Sequence, residues 1–511
     1  ENWFDLNASR YTPSSTLQRM ELLKTGYMGT LSLGWDNYLF LELTGRQERS
    51  STLKDQSFFY PSANLSFLFT QAFHMPSWWN YGKLRLSYGI VGNAPETYTA
   101  NIVYEQGSDN GFTWNTIPSS WGNADIRPEK KYEYEIGLES KFLNNRLGID
   151  ISYYNNRVKD QILSTPQPST SGVKNVLMNV GEVANRGWDI SISATPILTR
   201  DFRWDLTANY GVYKNKVVKL ADGVPYLEIL NSGGSGIKIQ AVEGQPMGDI
   251  YAQVPQVNEN GEYLVSDKGL YLNQTELQKV GNINPAGVGG LFNSFSYKNV
   301  FLDFSIDFRI GGDVINEMNQ YATAVGLTPE SLKYRDTEHG GLSYYYPGDN
   351  NSSGIPVQVD PSTGAGPNGE IIYHDGIILP GVVASTGERN TRIIPAGYYY
   401  NTTYNWGTEA EQLTYRHSVF DNSYVKLREL TIGYQFPQKM ISKLGLGRLS
   451  VSVFGRNLFY FYKALRCGVV RRNILGQPGY RGKFYHSYPQ FRCFTSCKFL
   501  TKQPSKKQQR V

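Results

Sequence analysis

Residues 419–461 read VFDNSYVKLRELTIGYQFPQKMISKLGLGRLSVSVFGRNLFYF and contain two strand-like segments joined by a short polar turn. In the first segment, Leu430, Ile432 and Tyr434 are separated by single polar or small residues. In the second segment, Leu449 and Val451 follow the same rule. A period of two places apolar side chains on one face of a strand and polar side chains on the other. The stretch therefore predicts a hairpin of two amphipathic strands.

The rest of the chain repeats this unit and predicts an all-β, antiparallel fold of roughly thirteen strands. Short turns close each hairpin on one side, and long, polar, irregular connections are predicted on the other, at 94–127, 157–185, 218–290 and 313–417. A soluble β-sandwich has loops of similar length at both ends. Short turns at one end and long loops at the other are typical of a transmembrane β-barrel, with periplasmic turns and extracellular loops. The pattern therefore favours the barrel.

The composition agrees with many amphipathic strands. Of 511 residues, 14% are aromatic and 51 are glycine. No run reaches the roughly 18 consecutive apolar residues that indicate a membrane helix. A barrel strand needs only about 10 residues that alternate in polarity. No signal peptide is visible after Glu1.

Cysteine and charge divide the chain near residue 465. All three cysteines lie later, at Cys467, Cys493 and Cys497, and residues 466–511 contain 11 basic and no acidic residues. The first 465 residues therefore hold 39 of the 50 basic residues and all 45 acidic ones, a net charge of −6. We expect no nucleic-acid partner, because the positive charge of the chain comes from this tail.

Signals of enzyme chemistry are weak. The five histidines have no metal-ligand spacing, and Asp205, Asp303 and Asp307 lie where strand alternation places polar lumen residues. The glycine-rich segments 281–290 and 348–354 lack the spacing of nucleotide-binding and calcium-binding loops. We expect no catalytic residues, no metal and no cofactor.

Aromatic residues in the long connections are the candidate binding groups. Aromatic faces beside Asn, Asp and Gln can stack on sugars or hold peptide side chains. Packing of loop against loop explains them equally well. Tyr104, Trp114 and Trp121 are the predicted substrate contacts, and a second group comprises two tyrosine triplets, 344–346 and 398–400.

Several segments together resemble the SusC-like TonB-dependent outer-membrane transporters of Bacteroidetes. The resemblance covers most of residues 20–465 and rests on motifs that occur in the order of that family: YLFLELTGRQERSST, FFYPSANLSFLF, GKLRLSYGIVGNAP, IRPEKKYEYEIGLE, NVGEVANRGWDISIS, EGQPMGDIYA, NINPAGVGGLFNSFSYKNVFLDFSIDFRIGGDV and FDNSYVKLRELTIGYQFP followed by RLSVSVFGRNLF.

This resemblance implies a barrel of about 22 strands in the outer membrane, where it contacts outer-membrane lipid. A plug domain would lie inside the barrel, a SusD-like surface lipoprotein would cover it, and the TonB complex would supply energy for importing oligosaccharides or peptides. No plug is visible here, so residues 1–465 are expected to be the C-terminal part of the barrel and to be unable to transport alone. A surface glycan-binding or structural β-protein without transport is the alternative, and a secreted glycan-cleaving enzyme is a more distant one.

The ending departs from the family pattern, since the resemblance stops near Leu465. Residues 488–500 can be encoded, by choice of the degenerate codon positions, so that the same bases read one nucleotide later give TRSFGVSLRASF and then a stop. This alternate product is an alternating strand of the type the family ends with. We therefore predict that residues 466–511 are a frameshift product with an irregular conformation. The outer edge of the strand at 449–461 is accordingly expected to be unpaired or poorly paired.

Overall fold

A computed structural model describes residues 19–54, 57–101, 103–109, 112–118, 120–232, 236–348, 354–405, 414–442 and 446–464, and the backbone of 490–499. Its main element is a 13-stranded sheet in which each strand pairs antiparallel with the next one along the chain. The strands are β1 (Lys24–Trp35), β2 (Leu39–Ser50), β3 (Ser57–Phe67), β4 (Trp79–Asn93), β5 (Glu129–Phe142), β6 (Leu147–Lys159), β7 (Glu182–Leu198), β8 (Phe202–Lys219), β9 (Gly287–Tyr297), β10 (Val300–Ile310), β11 (Tyr424–Gln435), β12 (Leu446–Lys463) and β13 (Gln490–Phe499). The predicted all-β antiparallel fold is confirmed.

Alternation along the strands gives the sheet two chemically different faces. On β5, Ile136 and Leu138 lie on one face with exposed fractions of 47% and 41%, and Glu135 and Glu139 lie on the other. Neighbouring strands keep apolar side chains on the same face, because Leu138 is the register partner of Ile151 on β6. We call these the apolar face and the polar face. Large apolar side chains exposed in rows are what a strand presents to lipid.

The two ends of the sheet differ in the length of their connections. Strands β1–β2, β5–β6, β7–β8 and β9–β10 are joined by two to four residues. Asp36, Asn37, Asn144 and Asn145 have positive φ there, a conformation that Asn and Asp adopt more readily than most other residues. The helix α1 (Phe69–Ala72) lies in the β3–β4 connection, and α4 (Gln438–Ile441) lies in the β11–β12 connection. The predicted asymmetry between short turns and long loops is confirmed.

The long connections are folded, so the prediction that they are irregular was wrong. Residues 94–128 and 160–181 share a three-stranded sheet of Ile162–Pro166, Asn175–Asn179 and Ser120–Trp121, and the first also contains the hairpin Glu105–Asp109 with Phe112–Thr116. Residues 220–286 carry the strands Tyr226–Ser232, Ile237–Val242, Asp249–Ala252, Leu264–Val265 and Gln278–Asn282. Residues 311–423 carry α2 (Glu317–Ala324), α3 (Ala396–Tyr404) and the strands Asp313–Ile315, Leu342–Tyr345, Val357–Gln358, Tyr373–Ile377, Val382–Val383, Ile394–Pro395 and Val419–Asp421.

The predicted unpaired edge of β12 was also wrong. The backbone of β13 pairs with β12 from Leu446↔Phe499 to Arg456↔Gln490, so the expected irregular tail does not hold for 490–499. The sequence QFRCFTSCKF has a physical reason to pair, because apolar or small residues recur at every second position as they do in β12. The rest of 465–511 lies outside the described residues.

The sheet ends at β1 and β13. All 12 residues of β1 are exposed, on both faces. Among the described residues, no helix combines the length and the apolar character needed to cross a bilayer.

Candidate functional site

Two long connections build a common folded body at the long-loop end of the sheet. Residues 220–286 and 311–423, hereafter the loop module, are far apart in sequence but share a hydrophobic core. Ile237, Ile239 and Ile250 from the first segment pack with Tyr415 and Val419 from the second. Because each segment buries its apolar side chains against the other, neither has a complete core alone.

Polar contacts reinforce the joint between the two segments. The buried hydroxyl of Thr414 donates to Oδ1 of Asn273 at 2.9 Å, and the strand Leu264–Val265 pairs in parallel with Val382–Val383. A buried group that finds a partner avoids a desolvation cost of about 1–3 kcal/mol. The loop module is therefore held by both apolar packing and satisfied hydrogen bonds.

The EGQPMGDIYA motif, residues 243–252, attaches the loop module to the polar face. The backbone N–H of Met247 donates to Oδ1 of Asn215 on β8 at 2.9 Å, and its carbonyl accepts from Nδ2 of Asn284 at 2.6 Å. The Tyr213 hydroxyl of β8 donates to Oδ1 of Asn284 at 3.0 Å. Gly248 has φ +91°, and a Cβ there would lie 2.6 Å from Ile283. The motif therefore covers the long-loop end of the polar face at close range.

Below this cover, polar side chains of neighbouring strands form a ladder. The amide of Asn156 on β6 donates to Oε2 of Glu133 on β5 at 3.1 Å, and Asn185 of β7 donates to Oδ1 of Asn156 at 2.9 Å. Further along, the guanidinium of Arg85 donates to both carboxylate oxygens of Asp150, at 2.6 and 3.2 Å. Such two-point pairing fixes the plane of both groups.

The polar face also contains a cavity of about 670 Å³ between β4 and β11. Both signs of charge line it, together with amide and hydroxyl groups, from Arg85, Asp150, Ser152, Asp189, Asn209, Asp307 and Arg309. Arg309 also donates to the carbonyl of Ile283 in the loop module at 3.0 Å. A cavity with fixed donors and acceptors of both charges suits a polar ligand such as a sugar or a peptide.

The predicted contacts Tyr104, Trp114 and Trp121 lie near one another only in part. The rings of Tyr104 and Trp121 meet edge to face with centroids 6.4 Å apart, and Tyr104 is 64% exposed. Trp114 instead belongs to the hairpin of residues 105–116, where its indole covers Gly107. No substrate is present, so their role in binding stays a prediction.

Buried tyrosines of both triplets have a structural role in the loop module, whereas Tyr398 is 37% exposed. Tyr344 and Tyr400 are 1% and 2% exposed. The ring of Tyr344 stacks on Tyr373 at 5.5 Å, and the Tyr400 hydroxyl donates to the carbonyl of Glu330 at 2.7 Å. For these residues the packing alternative is the right one. Burial also raises their pKa values, so the phenols stay neutral.

A histidine in the loop module is held neutral. The imidazole of His417 stacks on Tyr404 with ring centroids 4.4 Å apart. Burial and then the neighbouring charge of Arg416 lower the pKa of His417 to about 4. Burial also raises the pKa of Asp313, whose carboxylate accepts from the N–H of Asn282 at 2.9 Å.

Within the described ranges, no three His, Cys, Asp or Glu residues are grouped as a metal site would need.

Sequence reasoning did not select the Arg85–Asp150 pair. The signal was available, because alternation places Arg85 opposite in direction to Leu84 on β4. The sequence does not give the register between strands. Arg85 reaches β6 because its register partner on β5 is Gly137, which has no side chain and is itself the partner of Ser152 on β6.

Comparison with known proteins agrees with this architecture. Residues 3–242 match the family model described as TonB dependent receptor-like, beta-barrel. The chain is similar to TonB-dependent receptor P3 of Formosa agariphila, with 25% identity, covering 94% of this chain and 46% of that protein. It is also similar to TonB-dependent receptor SusC of Bacteroides thetaiotaomicron, with 30% identity over 44% of this chain and 24% of that protein.

Among solved structures, the chain is similar to one described as the RagAB peptide transporter, with a TM-score of 0.64 and 18% identity. The match covers 90% of this chain and 47% of that one. At this identity the likeness concerns the fold. The chain thus spans less than half the length of P3 and SusC, at 46% and 24%.

Proposed function

We propose that this chain, an outer-membrane protein whose residues 3–242 match the TonB dependent receptor-like β-barrel family and which is similar to SusC, takes part in the TonB-dependent import of oligosaccharides or peptides. The family is one of receptors and transporters, and we propose no catalytic activity for this chain.

The cavity on the polar face carries this proposal. Neighbouring groups fix Arg85, Asp150 and Arg309 in its wall, and the loop module covers it from the long-loop end. Pre-positioned donors and acceptors lower the ordering cost of binding a flexible polar ligand. An oligosaccharide or a peptide has the hydroxyl, amide and charged groups that would pair with them.

The partners follow from the proposed import. A SusD-like surface lipoprotein would cover the loop module from outside the cell, and a TonB complex acting through a plug domain would supply energy. This chain by itself is expected not to transport, because β1 and β13 form the edges of the sheet within the described part of the chain, and lipid cannot satisfy the backbone groups of an open edge. TonB-dependent uptake by cells that express only this chain would contradict that expectation.

Tyr104 and Trp121 are the proposed aromatic contacts for substrate, with Trp114 as a third. Each aromatic platform contributes about 0.5–1.5 kcal/mol beyond the area that it buries, so Trp121→Ala is expected to weaken binding about tenfold. Phe112→Ala is the matched control, because Phe112 is an aromatic of the same connection and is 78% exposed.

The test is a titration of the purified chain in detergent with a panel of oligosaccharides and a panel of short peptides, followed by calorimetry. Binding that Trp121→Ala and Tyr104→Ala both weaken, with Phe112→Ala unchanged, supports these contacts. A variant at Arg85, Arg85→Gln, separates the aromatic pair from the cavity. Loss of binding only in Arg85→Gln would keep the cavity and reject the aromatic contacts. Binding of neither panel, or binding unaffected by every variant, would refute the proposed site.

A further inference from the structure

The apolar face ends in a row of aromatic side chains at the long-loop end. Tyr153 of β6 and Trp188 of β7 are register partners, with ring centroids 4.9 Å apart. Trp188 is 48% exposed. Aromatic rings at the border of an apolar band mark the level where a bilayer changes from acyl chain to headgroup.

A row of cations follows directly above these rings on the same face. Arg186 and Lys214 lie one row further toward the long loops than Trp188 and Val212, and they are register partners of each other. Arg157 and Lys216 form the next row on either side of Ala184, and Lys159 lies above them. Successive rows are about 7 Å apart along a strand, so Arg186 and Lys214 lie at headgroup level and the other three cations extend from there toward the long loops. We call them the basic row.

Four of the five cations lack a carboxylate partner within the described part of the chain. Arg157 pairs with Glu182 at 3.0 Å, whereas no ion pair within 4.0 Å joins Lys159, Arg186, Lys214 or Lys216 to a described acid. Lys159 instead lies over the ring of Tyr132 with its Nζ 5.8 Å from the centroid. The acids of β5, such as Glu133 and Glu135, are on the opposite face of the sheet.

This arrangement has an electrostatic cost in isolation. Like charges directly opposite each other on neighbouring strands are destabilising, and Arg186 and Lys214 are such a pair. An anion between them would remove the repulsion, and phosphate oxygens suit a guanidinium and an ammonium together. The apolar rows immediately below would hold the hydrocarbon part of the same molecule.

We propose that the basic row binds the phosphate groups of an anionic glycolipid in the outer leaflet of the membrane, with its acyl chains on the apolar face below Trp188. The long-loop end of an outer-membrane barrel faces the outside of the cell. The ligand is therefore an amphiphile, because phosphate and hydrocarbon sites are adjacent. An acidic protein partner would use the cations without the apolar rows. This inference concerns the lipid-facing side and does not depend on the proposed substrate.

The experiment compares binding of diphosphorylated lipid A to the purified full chain and to two triple variants in detergent. One variant, Arg186→Gln/Lys214→Gln/Lys216→Gln, removes three charges of the basic row. The control, Arg200→Gln/Lys298→Gln/Lys439→Gln, removes three exposed cations at the short-turn end. Each cation near an anionic headgroup contributes about fivefold in affinity. The first variant is expected to bind lipid A about a hundredfold more weakly, and the control about as well as the parent.

Two further ligands test whether binding needs both the phosphate and the hydrocarbon part of lipid A. Dephosphorylated lipid A and inorganic phosphate should each bind much more weakly than diphosphorylated lipid A, since the site needs both parts of the amphiphile. Lys214→Gln alone provides a second variant if the triple variant does not fold, and a loss of about fivefold is expected. Equal binding by parent and basic-row variants, equal binding of dephosphorylated lipid A, or an equal loss in the control variant would each overturn the proposal.

Discussion

Replacement of one buried isoleucine tests whether the loop module is a single cooperative unit. Ile250 is 0% exposed and packs between its own sheet and the segment that contains Tyr415 and Val419. Ile250→Ala removes three buried carbon atoms at about 0.8 kcal/mol each, and the cavity left behind adds to the loss. We expect the free energy of opening the loop module to fall by about 3 kcal/mol.

Hydrogen exchange followed by mass spectrometry is the appropriate assay, because it reports local opening in a chain that remains folded elsewhere. A loss of about 3 kcal/mol corresponds to exchange about a hundredfold faster. The acceleration should appear in peptides from 236–252 and equally in peptides from 313–321 and 414–421. Ile229→Ala is the matched control, since Ile229 is in the adjacent strand and is 43% exposed.

Two results would refute this reasoning in different ways. Acceleration confined to 236–252 would mean that the two segments open independently, although they share a hydrophobic cluster. The same exchange in Ile250→Ala as in Ile229→Ala would mean that burial of Ile250 does not stabilise the module.

Three other expectations concern the loop module and the end of the chain. Gly248→Ala should destabilise the loop module by about 2 kcal/mol more than Gly244→Ala in hydrogen exchange, because both glycines have positive φ but only a Cβ at 248 would meet a neighbour, Ile283. His417 has a pKa of about 4 in the folded state and about 6.5 in the unfolded state, so the unfolded state binds more protons between these pH values. The free energy of opening the loop module should therefore fall by at most about 3 kcal/mol from pH 7 to pH 4. His417→Gln should lose this pH dependence. Sequencing of the gene is expected to show that the codons for residues 488–500, read one nucleotide later, encode an alternating strand followed by a stop codon.

Each of these expectations has a clear negative outcome. Equal effects of the two glycine variants would show that the close approach to Ile283 is not tight. An unchanged pH profile in His417→Gln would assign the acid sensitivity to other groups. A gene sequence without an alternate-frame strand and stop would end the frameshift explanation, and the boundary near residue 465 stays a prediction until then.

The strand pattern was readable from sequence because each main-sheet strand faces two solvents and therefore alternates. Leu430, Ile432 and Tyr434 lie on the apolar face of β11, as their spacing predicts, with Ile432 and Tyr434 54% and 40% exposed. Alternation also shows why β13 pairs. Apolar or small residues occupy every second position of QFRCFTSCKF, and they occupy the matching positions of SFGVSLRASF, the sequence that the predicted alternate frame would encode. The cysteines and the lack of acidic residues in 466–511 suggested an irregular tail, but composition carries no information on this alternation.

The loop module could not be predicted in the same way. Its strands are two to seven residues long, too short to show a period, and its core joins Ile250 to residues about 165 positions later, at Tyr415 and Val419. The aromatic triplets were visible in the sequence, but whether Tyr344 packs or binds depends on burial, which only the assembled module decides. Register set the remaining limit, since the Arg85–Asp150 pair spans three strands.

The shared core of the two long connections has a consequence for exchanging specificity between related transporters. A loop that folds alone can be transplanted singly, and its new host need only accept its two ends. Here residues 220–286 and 311–423 share two hydrophobic clusters, around Ile250 and around Leu270. A chimera that receives one segment from a relative would place mismatched surfaces against each other. A chimera with a folded loop module should therefore receive both segments together. Substitutions in one segment should be matched by compensating substitutions in the other.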